Sequence, residues 1–140
     1  MFVVEIRFHK YITYGFFVEI VIYWVILILD NYDSFTYNLY QYVAELSDAY
    51  SIKVIRNDAI SCQEIFKLKP THVILSPGPK TPNEAGICLE LLKTWVKMPP
   101  LLGICLGHQA IGQAFGGKII RHEPRHGKTS EIINHQNSVM

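Results

Sequence analysis

The chain has 140 residues, 49% hydrophobic and 18% charged, with a formal net charge of +1. That composition suits one packed domain, and with no basic stripe a nucleic-acid partner is not expected. The three cysteines, Cys62, Cys88 and Cys105, form no CxxC pair and no even framework, so they read as reduced thiols of a cytosol-like compartment. His122 and His126 stand four apart, but Glu123 and Pro124 between them argue against a metal pair. No metal or other cofactor is expected.

Taken in chain order, residues 1–24 do not fit the pattern that follows. Tyr11 to Leu29 is nearly all apolar, with a single charge at Glu19. Val25–Leu29 reads as a strand, which leaves Tyr11 to Trp24, short of the roughly 20 residues needed to cross a bilayer. The stretch is rich in aromatic and β-branched residues, as strands are, and shows no small-residue cleavage pattern. It reads as an upstream extension, with neither membrane anchoring nor a secretory signal expected.

From Val25 onward strands and helices alternate. Val25–Leu29 is a continuous apolar run, as expected of a strand buried on both faces. Asp33 or Ser34 can cap a helix whose apolar face is Phe35, Leu39, Tyr42, Val43 and Leu46. Ile52–Ile55 is a second strand, and Ser61 can cap a short helix carrying Ile65 and Phe66. Val73–Leu75 is a third strand. Ala85–Val96 reads as a longer helix with Leu89, Leu92 and Val96 on its apolar face. Leu101–Ile104 leads into a turn at Cys105 and a further helix through Phe115. Lys118–Ile120 and Thr129–Ile133 are read as additional strands. This order implies an α/β fold with an open, largely parallel sheet flanked by helices. In such a sheet, sites form beyond the carboxyl ends of the strands. Asp30, Ser76 and Cys105 each follow a strand, so they should gather at one edge.

The most informative segment is Gly103-Ile104-Cys105-Leu106-Gly107-His108-Gln109. A free cysteine alone is most often a core residue. Here glycines two before and two after it allow a strand and a helix to pack around a sharp turn, as in a nucleophile elbow. The helix N-terminus behind it favours thiolate. Cys62 and Cys88 lie on ordinary apolar faces.

The segment Gly103 to Gln109 resembles the nucleophile motif of class I, triad-type glutamine amidotransferases. Leu29-Asp30-Asn31-Tyr32-Asp33-Ser34-Phe35-Thr36-Tyr37-Asn38-Leu39 is similar to the N-terminal signature of the amidotransferase subunits of anthranilate synthase and aminodeoxychorismate synthase. Leu75-Ser76-Pro77-Gly78-Pro79, with Pro82 and Glu84-Ala85-Gly86, resembles their oxyanion loop, and His126-Gly127-Lys128-Thr129-Ser130 is a fourth match. The resemblance runs from Val25 to the end and divides the chain into an extension, 1–24, and a glutamine amidotransferase domain, 25–140.

What it implies is a glutaminase subunit with Cys105 as nucleophile. It would supply ammonia from L-glutamine to a chorismate-binding synthase subunit (component I), in tryptophan or folate biosynthesis. Such a protein would be cytoplasmic, or in the plastid stroma if organelle-encoded. The N–H of Leu106, next after the nucleophile, is expected to be one oxyanion donor. Gly78 is expected to be the second, since both flanking prolines lack an N–H. Gly78, Pro79, Lys80 and Gln109 would line the glutamine pocket, although Lys80 stands where the family has glycine. Tyr32, Asp33 and Ser34 would face the partner or the ammonia exit.

His108 is three residues from Cys105, but the resemblance places the base in a downstream His-Pro-Glu segment, leaving His108 a packing or hydrogen-bonding role. No His-Pro-Glu occurs in this sequence. The expectation from sequence is therefore a domain incomplete at its C-terminus, with little glutaminase activity by itself. The competing readings are a non-catalytic pseudoenzyme that at most binds the synthase, and, more weakly, a membrane-tethered module using residues 11–29.

Overall fold

The computed structural model describes residues 24–46, 50–95 and 97–121. Its centre is a four-stranded sheet formed by β1 (Trp24–Asp30), β2 (Tyr50–Arg56), β3 (His72–Leu75) and β4 (Leu101–Gly103). The strands lie in the order β2-β1-β3-β4 and every pairing is parallel. Four α-helices connect and flank them: α1 (Thr36–Ala44), α2 (Cys62–Leu68), α3 (Cys88–Thr94) and α4 (Leu106–Ala114). Trp24 pairs with Tyr50, so the first strand begins one residue before the expected boundary. Residues 1–23 lie outside the described residues.

The apolar run of β1 is continuous because both faces are covered, as parallel sheets require. Successive side chains alternate between the faces. Leu27 and Leu29, with Val73 and Leu75 of β3, join Ile65, Leu91, Leu106 and Ala110 in one core under α2, α3 and α4. Ile26, Ile28 and Ile74 point the other way and meet Leu39 of α1. The register pairs Leu29 with Leu75 and Leu75 with Gly103. The strands therefore end level, and Asp30 at the end of β1 lines up along one edge with Ser76 and Cys105, which lie just beyond β3 and β4; only Asp30 falls inside its strand rather than after it.

Some expectations hold and others are corrected. Ser61 caps α2 through a full capping box: its hydroxyl accepts from the Glu64 N–H, and the Glu64 carboxylate accepts from the Ser61 N–H. Neither Asp33 nor Ser34 caps α1; its N-cap position is Phe35, with no side-chain cap. Asp30 organises this turn instead, accepting from the Tyr32 N–H at 2.9 Å and the Thr36 hydroxyl at 2.8 Å. The expected apolar face of α1 is also too wide. Thr36 and Leu39 are buried, while Phe35, Tyr42 and Leu46 are exposed, because one helix over one sheet face presents only a narrow stripe inward.

The expected helix from Ala85 is shortened to α3. Gly86, at φ +53°, and a bond from the Ile87 N–H to the Asn57 carbonyl turn the chain before the helix can start. Trp95 is extended and ends it. Residues 118–120 form no strand; they are exposed, without a neighbouring strand among the described residues. Thr129–Ile133 lies outside those residues. No helix among the described residues is long and apolar enough to cross a membrane.

Candidate active site

The site begins with a backbone that an L-residue rarely adopts. Cys105 joins β4 to α4 at φ +51°, ψ −108°, and strain of that kind persists only where the surroundings over-determine it. The surroundings here are two glycines. A Cβ on Gly103 would lie 2.6 Å from the main-chain carbon of Gly107, and one on Gly107 would lie 2.6 Å from the Leu75 Cβ. Strand end and helix start thus meet main chain to main chain. The Ile104 N–H bonds the Leu75 carbonyl at 3.0 Å, and the Gln109 N–H bonds the Cys105 carbonyl at 3.0 Å. Cys105 is left exposed while Cys62 and Cys88 are buried. Burial, first of all, pushes the Cys88 thiol up to about 12, and it also raises that of Cys62. All three cysteines are free.

The second component is the loop after β3. A Cβ on Gly78 would come within 2.6 Å of the Asn31 Cβ and 2.8 Å of Leu106 Cδ2. Gly78 therefore lies flush against the first residue of α4. Leu106 is buried, and its N–H belongs to the first turn of α4, where backbone donors have no partner within the helix. Gly78 likewise has no backbone acceptor for its N–H among the described residues.

Pro79 and Lys80 continue from Gly78 and line, with Leu106, a cleft of about 320 Å³ that reaches Asn31, Tyr32 and Asp58. Lys80 has φ +68° and forms an exposed ion pair with Glu84 at 3.6 Å. Its left-handed backbone explains why glycine suits this position. Gln109 is half-buried in the first turns of α4, and His108 is exposed beside it. Of the two roles expected of His108, helix packing is not met at this exposed position, and hydrogen bonding is compatible with it.

A buried polar network that the sequence did not announce holds this edge together. The Asn31 side chain donates to the Ser76 carbonyl at 2.8 Å and accepts from Asn57 at 2.9 Å and from the Cys88 thiol at 3.2 Å. Tyr32 stays half exposed, its hydroxyl bonded to the Asp58 carboxylate at 2.6 Å and its ring under the Arg56 guanidinium at 4.5 Å. Asn31 and Ser76 were visible in their motifs, but only the fold shows that they touch. No group of metal-ligating side chains occurs among the described residues.

Residues 27–140 match the model of the family described as glutamine amidotransferase class-I. The chain belongs to this family. The glutamine amidotransferase relatives include "Anthranilate synthase component 2" of Pseudomonas aeruginosa, 54% identical over 77% of this chain and 53% of its own length. "Aminodeoxychorismate synthase component 2" of Escherichia coli is 51% identical over 82% of this chain and 61% of its own length. A Bacillus subtilis relative named "Aminodeoxychorismate/anthranilate synthase component 2" is 52% identical over 77% of this chain and 55% of its own length. The chain thus spans a little over half the length of these relatives. A solved structure from Thermoplasma acidophilum, described as a putative GMP synthase protein, superposes with a TM-score of 0.54 at 27% identity, covering 67% of this chain and 46% of its own. That likeness agrees with the parallel sheet and flanking helices described above.

Proposed function

We propose that this chain carries the nucleophile half of a glutamine-hydrolysing site, in a component that supplies ammonia to a chorismate-using synthase making anthranilate or 4-amino-4-deoxychorismate. The observation that carries this reading is the strained, exposed Cys105 with Gly78 and Leu106 packed against each other beside it. The relatives' names support both synthases, and their similarities are too close to favour one. The chorismate-binding component I is the proposed partner, with Tyr32 and Ser34 exposed on the same edge to face it. Free thiols throughout the described core are in keeping with a reducing compartment.

In this reading the Cys105 thiolate adds to the side-chain amide carbon of L-glutamine, and the carbonyl electron pair moves onto oxygen. The N–H groups of Leu106 and Gly78 receive that oxyanion. Collapse expels the amide nitrogen, which leaves as ammonia after taking up a proton. Water then hydrolyses the γ-glutamyl thioester to glutamate and regenerates the thiol. Pro79, Lys80 and Gln109 are proposed to hold the glutamine.

A chloroketone analogue of L-glutamine tests this. It should alkylate Cys105 with loss of chloride, L-glutamine should protect, and Cys105→Ser should abolish the label. Labelling of Cys88 at an equal rate, or no protection by glutamine, would overturn the proposal. Release of glutamate, followed with and without a chorismate-binding synthase subunit, then measures turnover.

A further inference from the structure

We propose that Ser76 is the positioning residue of the oxyanion hole, turning the Gly78 N–H toward the reacting oxygen through the peptide plane between Pro77 and Gly78. The inference rests on the function proposed above and adds a residue to its machinery.

Ser76 is fully buried at the end of β3, and its hydroxyl has two partners. It accepts from the Asn31 N–H at 2.8 Å and donates to the Pro77 carbonyl at 2.7 Å. The Asn31 side chain holds the same residue from the other side, donating to the Ser76 carbonyl at 2.8 Å. Asn31 is itself fixed by Asn57 and Cys88. A buried hydroxyl with both roles filled cannot rotate without losing a bond.

The consequence for Gly78 follows from covalent geometry. No peptide bond among the described residues is cis. In a trans peptide the C=O and N–H lie in one plane and point in opposite directions. The Pro77 carbonyl is held by Ser76, so the Gly78 N–H must point the opposite way, and it has no backbone acceptor there. Glycine alone could turn over, since it meets no steric penalty for unusual dihedrals. Proline at 77 supplies no competing donor. The relay from Asn31 through Ser76 to Pro77 thereby selects one of the orientations that Gly78 could adopt. Contact of Gly78 with Asn31 and Leu106 limits its position; the hydroxyl sets its direction.

The test compares two alkylating agents on the full chain. The chloroketone analogue of L-glutamine engages Cys105 through carbonyl addition and needs the oxyanion donors. Iodoacetamide transfers its carbon with no oxyanion at the site. Ser76→Ala should lower the limiting rate of chloroketone inactivation roughly ten- to a hundredfold, less than the roughly hundred- to thousandfold loss seen when an oxyanion donor is removed outright, because the Gly78 N–H is still present. The chloroketone concentration for half-maximal rate and the iodoacetamide rate should stay near wild type. Ser76→Thr, which keeps the hydroxyl, should restore most of the lost rate. If Ser76→Ala does not fold by circular dichroism, Ser76→Cys, close in shape but a weak donor, takes its place, with the label mapped to Cys105 by mass spectrometry.

An unchanged limiting rate in the folded variant, or equal slowing with both reagents, would overturn the inference. Failure of the wild-type chain to react with the chloroketone at Cys105 would instead overturn the proposed function.

Discussion

The turn at Cys105 and the turn into α1 both follow a parallel strand of the sheet, yet they are built in opposite ways. At the first, main chain meets main chain: Gly103 packs on Gly107, and Gly107 on Leu75. At the second, side chains meet water: Tyr37 is 70% exposed and Tyr42 57%. The contrast teaches where a residue pattern can be trusted. Close backbone approach admits only glycine, so the spacing has one structural meaning. Apolar side chains are common at the surface as well as in the core, so their spacing along α1 has several.

The sharpest way to break this contrast is at Gly107. Gly107→Ala would push a Cβ into Leu75, and should cost about 3 kcal/mol in urea unfolding, the upper range for overpacking. On the same helix Gly112→Ala meets nothing nearer than Ile119 at 3.9 Å, and should gain up to about 1 kcal/mol from helix propensity. Similar effects at the two glycines would erase the distinction.

The α1 side can be sharpened the same way. Leu39→Ala removes the side chain that meets Ile26, Ile28 and Ile74, and should cost about 2 kcal/mol. Tyr37→Ala, on the exposed face, should change stability by no more than about 0.5 kcal/mol. A loss at Tyr37 as large as at Leu39 would show that the aromatic face is structural.

The two buried thiols give a smaller, pH-dependent effect. An unfolded cysteine ionises near pH 8.5, to within about a unit, whereas folded Cys88 is held at about 12 and Cys62 is also raised, both chiefly by burial. Above the unfolded value the unfolded chain binds fewer protons, so this contribution is fully present at neutral pH and is lost as pH rises toward the folded values. The unfolding free energy should fall by about 1 kcal/mol between pH 9 and 10. Cys88→Ala should flatten that slope, and an unchanged slope would refute the assignment.

Legibility varied by residue. The run Val25–Leu29 read as a doubly covered strand, and Ser61 read as the cap of a short helix, because each depends on neighbours a few positions away; the reciprocal bond from Glu64 is seen only in the structure. The shortened α3 did not, because Gly86 and Ile87 are held by Asn57, far back in the chain. Lys118–Ile120 looked like a strand by composition but lies exposed without a neighbouring strand among the described residues.

By itself the sequence determined the α/β order, the strands that had to be buried and the cysteine set in a glycine-backed turn. These follow from local sterics and from the periodicity of apolar residues. Only the tertiary structure decided that Asn31 would grip Ser76 across 45 residues, that Gly78 would lie against Leu106, and that α1 would turn its tyrosines outward. Those outcomes depend on which strand ends come level in the sheet, and hydrogen bonds and close contacts made there join residues whose separation along the chain carries no local signal.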